Sequence, residues 1–110
     1  MNPFIFREYD IRGVVEKDFK DDVVINLGKG FGPWLKRRGA SVMGLSGDVR
    51  STTPQLKQLF AQGVLSAGID VVDFGIIPTL LNYYSQFVRD IDAAVQITGS
   101  HNPPEFNGFK

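Results

Sequence analysis

The chain has 110 residues, with 12 basic side chains against 12 acidic ones, one histidine and no cysteine. That length suits one small domain, and the balanced charge gives no handle for nucleic acid or a membrane surface. The lack of thiols excludes disulfides and thiolate metal sites, and nothing approaches the ~20 apolar residues of a membrane span.

The N-terminus meets Arg7 and Glu8 too early for a secretory signal. The expectation is a soluble protein of a reducing cytoplasm. Residues 4–15 read as an extended arm or hairpin, with Phe4 and Phe6 alternating and Gly13 as punctuation. A helix is predicted from about residue 21 to 38. Asp21 or Asp22 caps its positive end, and Val24, Leu27, Phe31, Trp34 and Leu35 recur on one face. Lys36, Arg37 and Arg38 suit its last turn, and Gly39 suits the left-handed position beyond. Gly28 and Gly32 each cost roughly 1 kcal/mol relative to alanine. They do not follow a strand or form a nucleotide-loop pattern, so they point to a close helix contact instead.

Ala40 to Leu45 reads as a short buried strand. Thr53-Pro54 opens the next helix, with threonine as cap and proline at the first helical position. Leu56, Leu59, Phe60, Gly63, Val64 and Ala67 form its face, and Gly68 ends it. Ile69 to Phe74 is the next strand. Pro78-Thr79 starts a third helix carrying Leu80, Tyr84, Phe87 and Val88 along one side. Ala93 to Thr98 is the third strand. Trp34 and the nine phenylalanines are expected mostly in the core.

Strands separated by helices favour parallel pairing through right-handed crossovers. The predicted fold is an α/β three-layer sandwich, with a mainly parallel or mixed sheet and helices on both faces. Its carboxyl edge carries the loops 46–52, 75–78 and 98–108. Ligands in open α/β sheets bind at that edge. Asp48, Arg50, Ser100 and His101 are therefore expected on one rim.

Ser100 stands beside the only histidine, His101, on a loop stiffened by Pro103 and Pro104. Adjacent side chains usually point apart, and no third group orients the imidazole, so this is not a hydrolase triad. No Gly-x-Ser-x-Gly elbow is present. A phosphoserine needs less: an exposed oxygen, nearby N–H groups and cations. Asp48 and Arg50 read as an ion pair bracing the rim. Asp10 and Arg12, two apart on an extended segment, can also pair, or Arg12 can face a phosphate. Asp70 and Asp73 lack a third ligand for a metal.

Thr98-Gly99-Ser100-His101-Asn102-Pro103-Pro104-Glu105-Phe106-Asn107-Gly108-Phe109-Lys110 resembles the active-site serine loop of the α-D-phosphohexomutases. Phe6-Arg7-Glu8-Tyr9-Asp10-Ile11-Arg12-Gly13 resembles that family's N-terminal motif. Gly47-Asp48-Val49-Arg50 with Thr53-Pro54, and Ile77-Pro78-Thr79, are weaker similarities. The resemblance covers essentially the whole chain. The form Tyr9-Asp10-Ile11-Arg12-Gly13 is similar to the bacterial phosphomannomutase/phosphoglucomutase branch.

The resemblance implies an incomplete first domain of a four-domain enzyme. That enzyme would interconvert hexose 1- and 6-phosphates through a phosphoserine and a hexose 1,6-bisphosphate. It implies Ser100 as phosphate carrier and, through its phosphate, as a ligand of Mg2+. His101, Lys110 and Arg12 would stabilise charge and move protons, and Tyr9 and Arg12 would contact the hexose phosphate. The remaining metal, sugar and phosphate loops would lie in domains that follow, and Phe109-Lys110 would begin another strand. The isolated chain would then be inactive. Phosphoglucosamine mutase-type specificity and a non-catalytic binding or assembly fragment are the alternatives. A strand 93–98 cut from a larger sheet would also favour self-association.

Overall fold

The computed structural model describes residues 1–88 and 90–110. A short 3-10 turn at Pro3–Ile5 is followed by β1 (Ile11–Val14), α1 (Val15–Asp18), α2 (Asp21–Lys36) and β2 (Val42–Gly47). Then come α3 (Thr53–Ser66), β3 (Asp70–Ile76), α4 (Thr79–Val88), β4 (Ala93–Ile97) and β5 (Phe106–Phe109). The strands lie in the order β1-β5-β4-β2-β3. β2 pairs in parallel with β3 and β4, while β5 runs antiparallel to β4 and β1. The sheet is therefore mixed, and its parallel half is the part encoded by the strand–helix–strand order.

Alternation along β2 assigns the two faces. Met43 and Leu45 join Leu56, Phe60 and Val64 of α3, Val24 and Leu35 of α2, and Phe109 of β5 in one buried cluster. Phe109 meets Phe19 edge-on at 5.5 Å between centroids and Phe60 at 5.0 Å. Such aromatic contacts add roughly 0.5–1.5 kcal/mol beyond the area they bury. Ser46, one residue on, points the other way and accepts a hydrogen bond from Asn82 of α4. Helices thus cover both faces, α2 and α3 on one side and α4 on the other.

Several local expectations shift. α2 stops at Lys36, and neither Asp21 nor Asp22 caps it: Lys20 holds the cap position without a side-chain bond, and both aspartates sit in the first turn. Thr53 is the first residue of α3 rather than its cap, because its hydroxyl is drawn to Asp48 instead. β2 runs two residues later than predicted, and β5 begins at Phe106 rather than at Phe109. That earlier start comes from pairing with β1, where Arg12 stands opposite Gly108. β4 lies between β5 and β2, inside the sheet.

The core expectation fails for four aromatic residues. Trp34 is 42% exposed, stacked between Phe31 and the Arg38 guanidinium. Phe4, Phe6 and Phe87 are exposed outright. The stripe expected on the third helix also faces outward at Leu80, Tyr84 and Phe87. Val88, its fourth member, lies outside the described side chains.

The Gly28 expectation holds, with a partner on the other helix. A Cβ at Gly28 would run into the Phe60 carbonyl, and one at Gly63 into the Ile25 carbonyl. The two glycines let the α2 and α3 backbones touch, which holds the layer behind β2 in register. Overpacking typically costs about 1–3 kcal/mol, more than alanine's roughly 1 kcal/mol advantage in a helix. Gly63→Ala should therefore lower stability by about 1–2 kcal/mol in urea denaturation. An unchanged or raised midpoint would contradict this close contact.

Candidate active site

The Ser100 loop joins β4 to β5, and its base is closed as a ladder. Gln96 and Lys110 exchange backbone hydrogen bonds of 2.8 and 2.9 Å, and the Thr98 N–H donates to Gly108 at 2.9 Å. Above this base the chain turns twice, with Asn102 N–H donating to Gly99 and Phe106 N–H to Pro103, both at 3.0 Å. Ser100 sits exposed at the tip with φ of 55°. That left-handed conformation costs a residue with a Cβ roughly 1–2 kcal/mol. The Ser100 N–H donates to Thr98 Oγ1 at 2.9 Å, which helps to hold the turn. Ser100 Oγ lies 3.3 Å from His101 Nδ1. The adjacent side chains therefore meet, contrary to the usual geometry of neighbours in an extended segment.

Arg50 holds the loop from inside. Its Nη1 donates to the carbonyls of Pro103 at 2.7 Å and Phe106 at 3.1 Å. Its Nη2 donates to the carbonyls of Ser100 at 3.1 Å and Asn102 at 2.7 Å. Its Nε donates to Asp48 Oδ2 at 3.2 Å. A guanidinium has five N–H donors, and all five are engaged. Gly99 is required here, because a Cβ would overlap the guanidinium.

Asp48 in turn collects donors from three segments. Oδ1 accepts from the Arg50 N–H and Thr53 Oγ1, and Oδ2 from Thr98 Oγ1 and the Gly99 N–H. Burial pushes its carboxyl up. The hydrogen bonds from Arg50, Thr98, Thr53 and Gly99 outweigh this and hold it below the usual aspartate value. Asn107 completes the frame by donating to the hydroxyls of Thr52 and Thr53. The expected Asp48–Arg50 brace is present. What sequence reasoning missed is its extent: four loop carbonyls and the anchor at Asn107. The spacing Gly47-Asp48-Val49-Arg50 before Thr53 was the available signal.

Beside the loop lies a cleft of 470 Å3 lined by Tyr9, Asp10, Arg12, Asn102, Phe106 and Lys110, among others. Arg12 pairs with Asp10, whose side chain is 8% exposed. Arg12 Nε is buried and has no hydrogen-bond partner. A buried donor left open is costly, and Arg12 is also one of the residues that line the cleft. Tyr9 and Lys110 are exposed at the same cleft. The structure thus brings together Tyr9, Arg12 and Lys110. Ser100 and His101 do not line the cleft; they stand on the same loop as Asn102, which does.

The described residues contain no group of three or more His, Cys, Asp or Glu able to cage a metal. The carboxylate braced against the loop, Asp48, already accepts five hydrogen bonds. Among the described residues, Ser100 itself presents a single hydroxyl oxygen at the loop tip. Asp73 is likewise engaged, by Lys57 and the Gly75 N–H.

The fold and rim define an α/β/α domain that presents a braced serine loop at the carboxyl edge of its sheet. Residues 3–110 match the family model of phosphoglucomutase/phosphomannomutase, alpha/beta/alpha domain I, and the chain belongs to that family. It is 36% identical over 107 residues to a phosphomannomutase of Vibrio cholerae. It is 39% identical over 106 residues to a phosphomannomutase/phosphoglucomutase of Pseudomonas aeruginosa. Each match covers 96% of this chain and 23% of the relative. A solved phosphoglucomutase/phosphomannomutase family protein from Burkholderia thailandensis superposes with a TM-score of 0.93 at 39% identity, over 96% of this chain and 25% of that one.

Because the folded Asp48 carboxyl is more acidic than in the unfolded chain, its contribution is complete above the ordinary aspartate value of 3.8. It is lost as pH falls through the lower folded value. Asp48→Asn should lower stability at neutral pH by about 1–3 kcal/mol and reduce the further loss below that value. Asp18, Asp73 and Asp92 are also held low, so part of the acid loss remains. Urea denaturation across pH checks both; equal neutral stability or an unchanged acid slope would contradict the brace.

Proposed function

We propose that this chain is the first domain of a phosphohexomutase of the phosphomannomutase/phosphoglucomutase type, with Ser100 as its phosphate carrier. The observation that carries this reading is a serine fixed at the tip of a braced loop, beside a cleft with an unpartnered arginine donor. The names of the relatives support the substrate class, hexose monophosphates of the mannose and glucose type.

In this mechanism the bond between Ser100 Oγ and phosphorus breaks as a sugar hydroxyl forms its own bond to that phosphorus. The proton of the sugar hydroxyl ends on Ser100 Oγ. His101 Nδ1, 3.3 Å from that oxygen, is the neighbouring group that can pass it on. The product is a hexose 1,6-bisphosphate, which turns over and returns its other phosphoryl group to Ser100 by the reverse exchange. Arg12 and Lys110 supply positive charge to phosphate oxygens, and Tyr9 forms a wall of the cleft. Phosphoryl transfer depends mainly on such positioning and charge neutralisation. The rigid loop reduces the motion of Oγ between its two phosphorylation states.

Magnesium belongs to this reading only as an ion held jointly by the Ser100 phosphate and by groups outside these residues. The remaining sugar and phosphate contacts are assigned to following domains, so the 110-residue chain alone turns over no substrate. The setting proposed is the cytoplasm.

In the whole enzyme, Ser100→Ala should reduce turnover by on the order of 10³-fold or more and abolish label uptake from a phosphate-labelled hexose bisphosphate. Arg12→Ala should lower kcat/KM by roughly 10²–10³-fold while the serine is still labelled. Coupled mutase assays and mass mapping of the label check these outcomes. Wild-type turnover in Ser100→Ala, or label on a different residue, would contradict the proposal.

A further inference from the structure

Both polar groups of the Ser100 backbone are turned into the loop. Its N–H donates to Thr98 Oγ1 at 2.9 Å, and its carbonyl accepts from Arg50 Nη2 at 3.1 Å. The two partners meet again at one atom. Thr98 Oγ1 donates to Asp48 Oδ2 at 2.9 Å, and Arg50 Nε donates to the same oxygen at 3.2 Å. Ser100 is thus tied at both ends of its backbone into one ring, and its side chain stays exposed.

Chemistry fixes the direction of each bond. An ionised carboxylate only accepts, so the one hydroxyl proton of Thr98 goes to Asp48. The lone pairs of Thr98 Oγ1 then remain for the Ser100 N–H. Thr98 is buried, at 7% exposure, so water competes poorly for either bond.

From this ring we propose that Thr98 is a positioning residue for phosphoryl transfer, one that withholds the Ser100 N–H from the phosphate on Ser100 Oγ. The inference rests on the reading of Ser100 as phosphate carrier. A serine phosphate has three strong acceptor oxygens, and the amide of its own residue is a donor tethered close by. A hydrogen bond between them stabilises the phosphoserine before transfer. It is lost as the phosphoryl group departs for the sugar oxygen, so it raises the barrier. With the amide held by Thr98, the phosphate is left to the cations of the cleft, Arg12 and Lys110.

Three forms of the whole enzyme test this. Thr98→Val keeps the branched shape without the hydroxyl, and Thr98→Ser keeps the hydroxyl. Each is labelled with a phosphate-labelled hexose 1,6-bisphosphate beside the wild type, then mixed with hexose monophosphate in a single turnover. Transfer of the label should be roughly 10–100-fold slower in Thr98→Val, the usual effect of a hydrogen bond to a charged group. Thr98→Ser should restore it. Affinity for hexose monophosphate should hold, because Thr98 does not line the cleft. By phosphorus NMR, the phosphoserine of Thr98→Val should titrate at lower pH than that of the wild type, since a hydrogen bond to the charged form favours that form. Lost packing alone leaves that midpoint in place. Equal transfer in Thr98→Val and wild type, a Thr98→Ser variant as slow as Thr98→Val, or an unmoved midpoint would overturn the proposal. Where Thr98→Val does not fold, the wild type decides. Its Ser100 amide proton should keep one chemical shift while the phosphate titrates, and a shift that follows the phosphate would overturn the proposal. Label absent from Ser100 in the wild type would instead overturn the phosphoserine reading beneath it.

Discussion

One guanidinium organises the functional rim. Arg50 reaches from the loop after β2 into the loop after β4 and uses every donor it has. It can do so because Asp48 fixes its Nε and also ties down Thr98, the Gly99 N–H and the start of α3. The left-handed Ser100 is therefore held by contacts on both flanks of the turn. A strained residue persists only where its surroundings over-determine it. Here those surroundings are mainly Asp48, Arg50 and Thr98.

The brace also separates roles among the basic residues. Arg50 is saturated and cannot greet a phosphate without releasing loop carbonyls. Arg12 is different: it keeps a buried donor open beside the cleft. Its partner Asp10 holds the guanidinium in place without using every N–H. Lys110 joins the same cleft from β5. The antiparallel β1–β5 pair, with Arg12 opposite Gly108, is what carries the first motif of the chain to the last.

The parallel centre was legible because hydrophobic period and glycine punctuation change together along the chain. Strands β2, β3 and β4 and the helices between them follow from that rhythm. The shared rim follows too, since β2 and β4 run parallel and end at one edge. The antiparallel margin was not legible: β1 and β5 are four residues each, and their pairing is set by tertiary contact rather than by local propensity. Thr53 shows the same limit. It has the chemistry of a cap, but a carboxylate five residues back takes its hydroxyl. In α4, apolar spacing put Leu80, Tyr84 and Phe87 on one side without saying which way it faces, and the buried hydrogen bonds of Asn82 to Ser46 and Val95 on the other side leave those three outward. At the site, Ser100, His101, Arg12 and Lys110 could be named from motifs. The four carbonyls gathered by Arg50 could not, since backbone acceptors carry no side-chain signature.

Amide hydrogen exchange in Arg50→Lys tests the central claim most directly. Lysine keeps the charge but has three donors on one atom instead of a planar fork. The brace predicts that the Ser100 and Asn102 amides exchange roughly 30-fold faster, equivalent to about 2 kcal/mol, while amides in β2 and β4 stay protected. Wild-type protection at Ser100 and Asn102 in that variant would show that the loop is held by something other than Arg50.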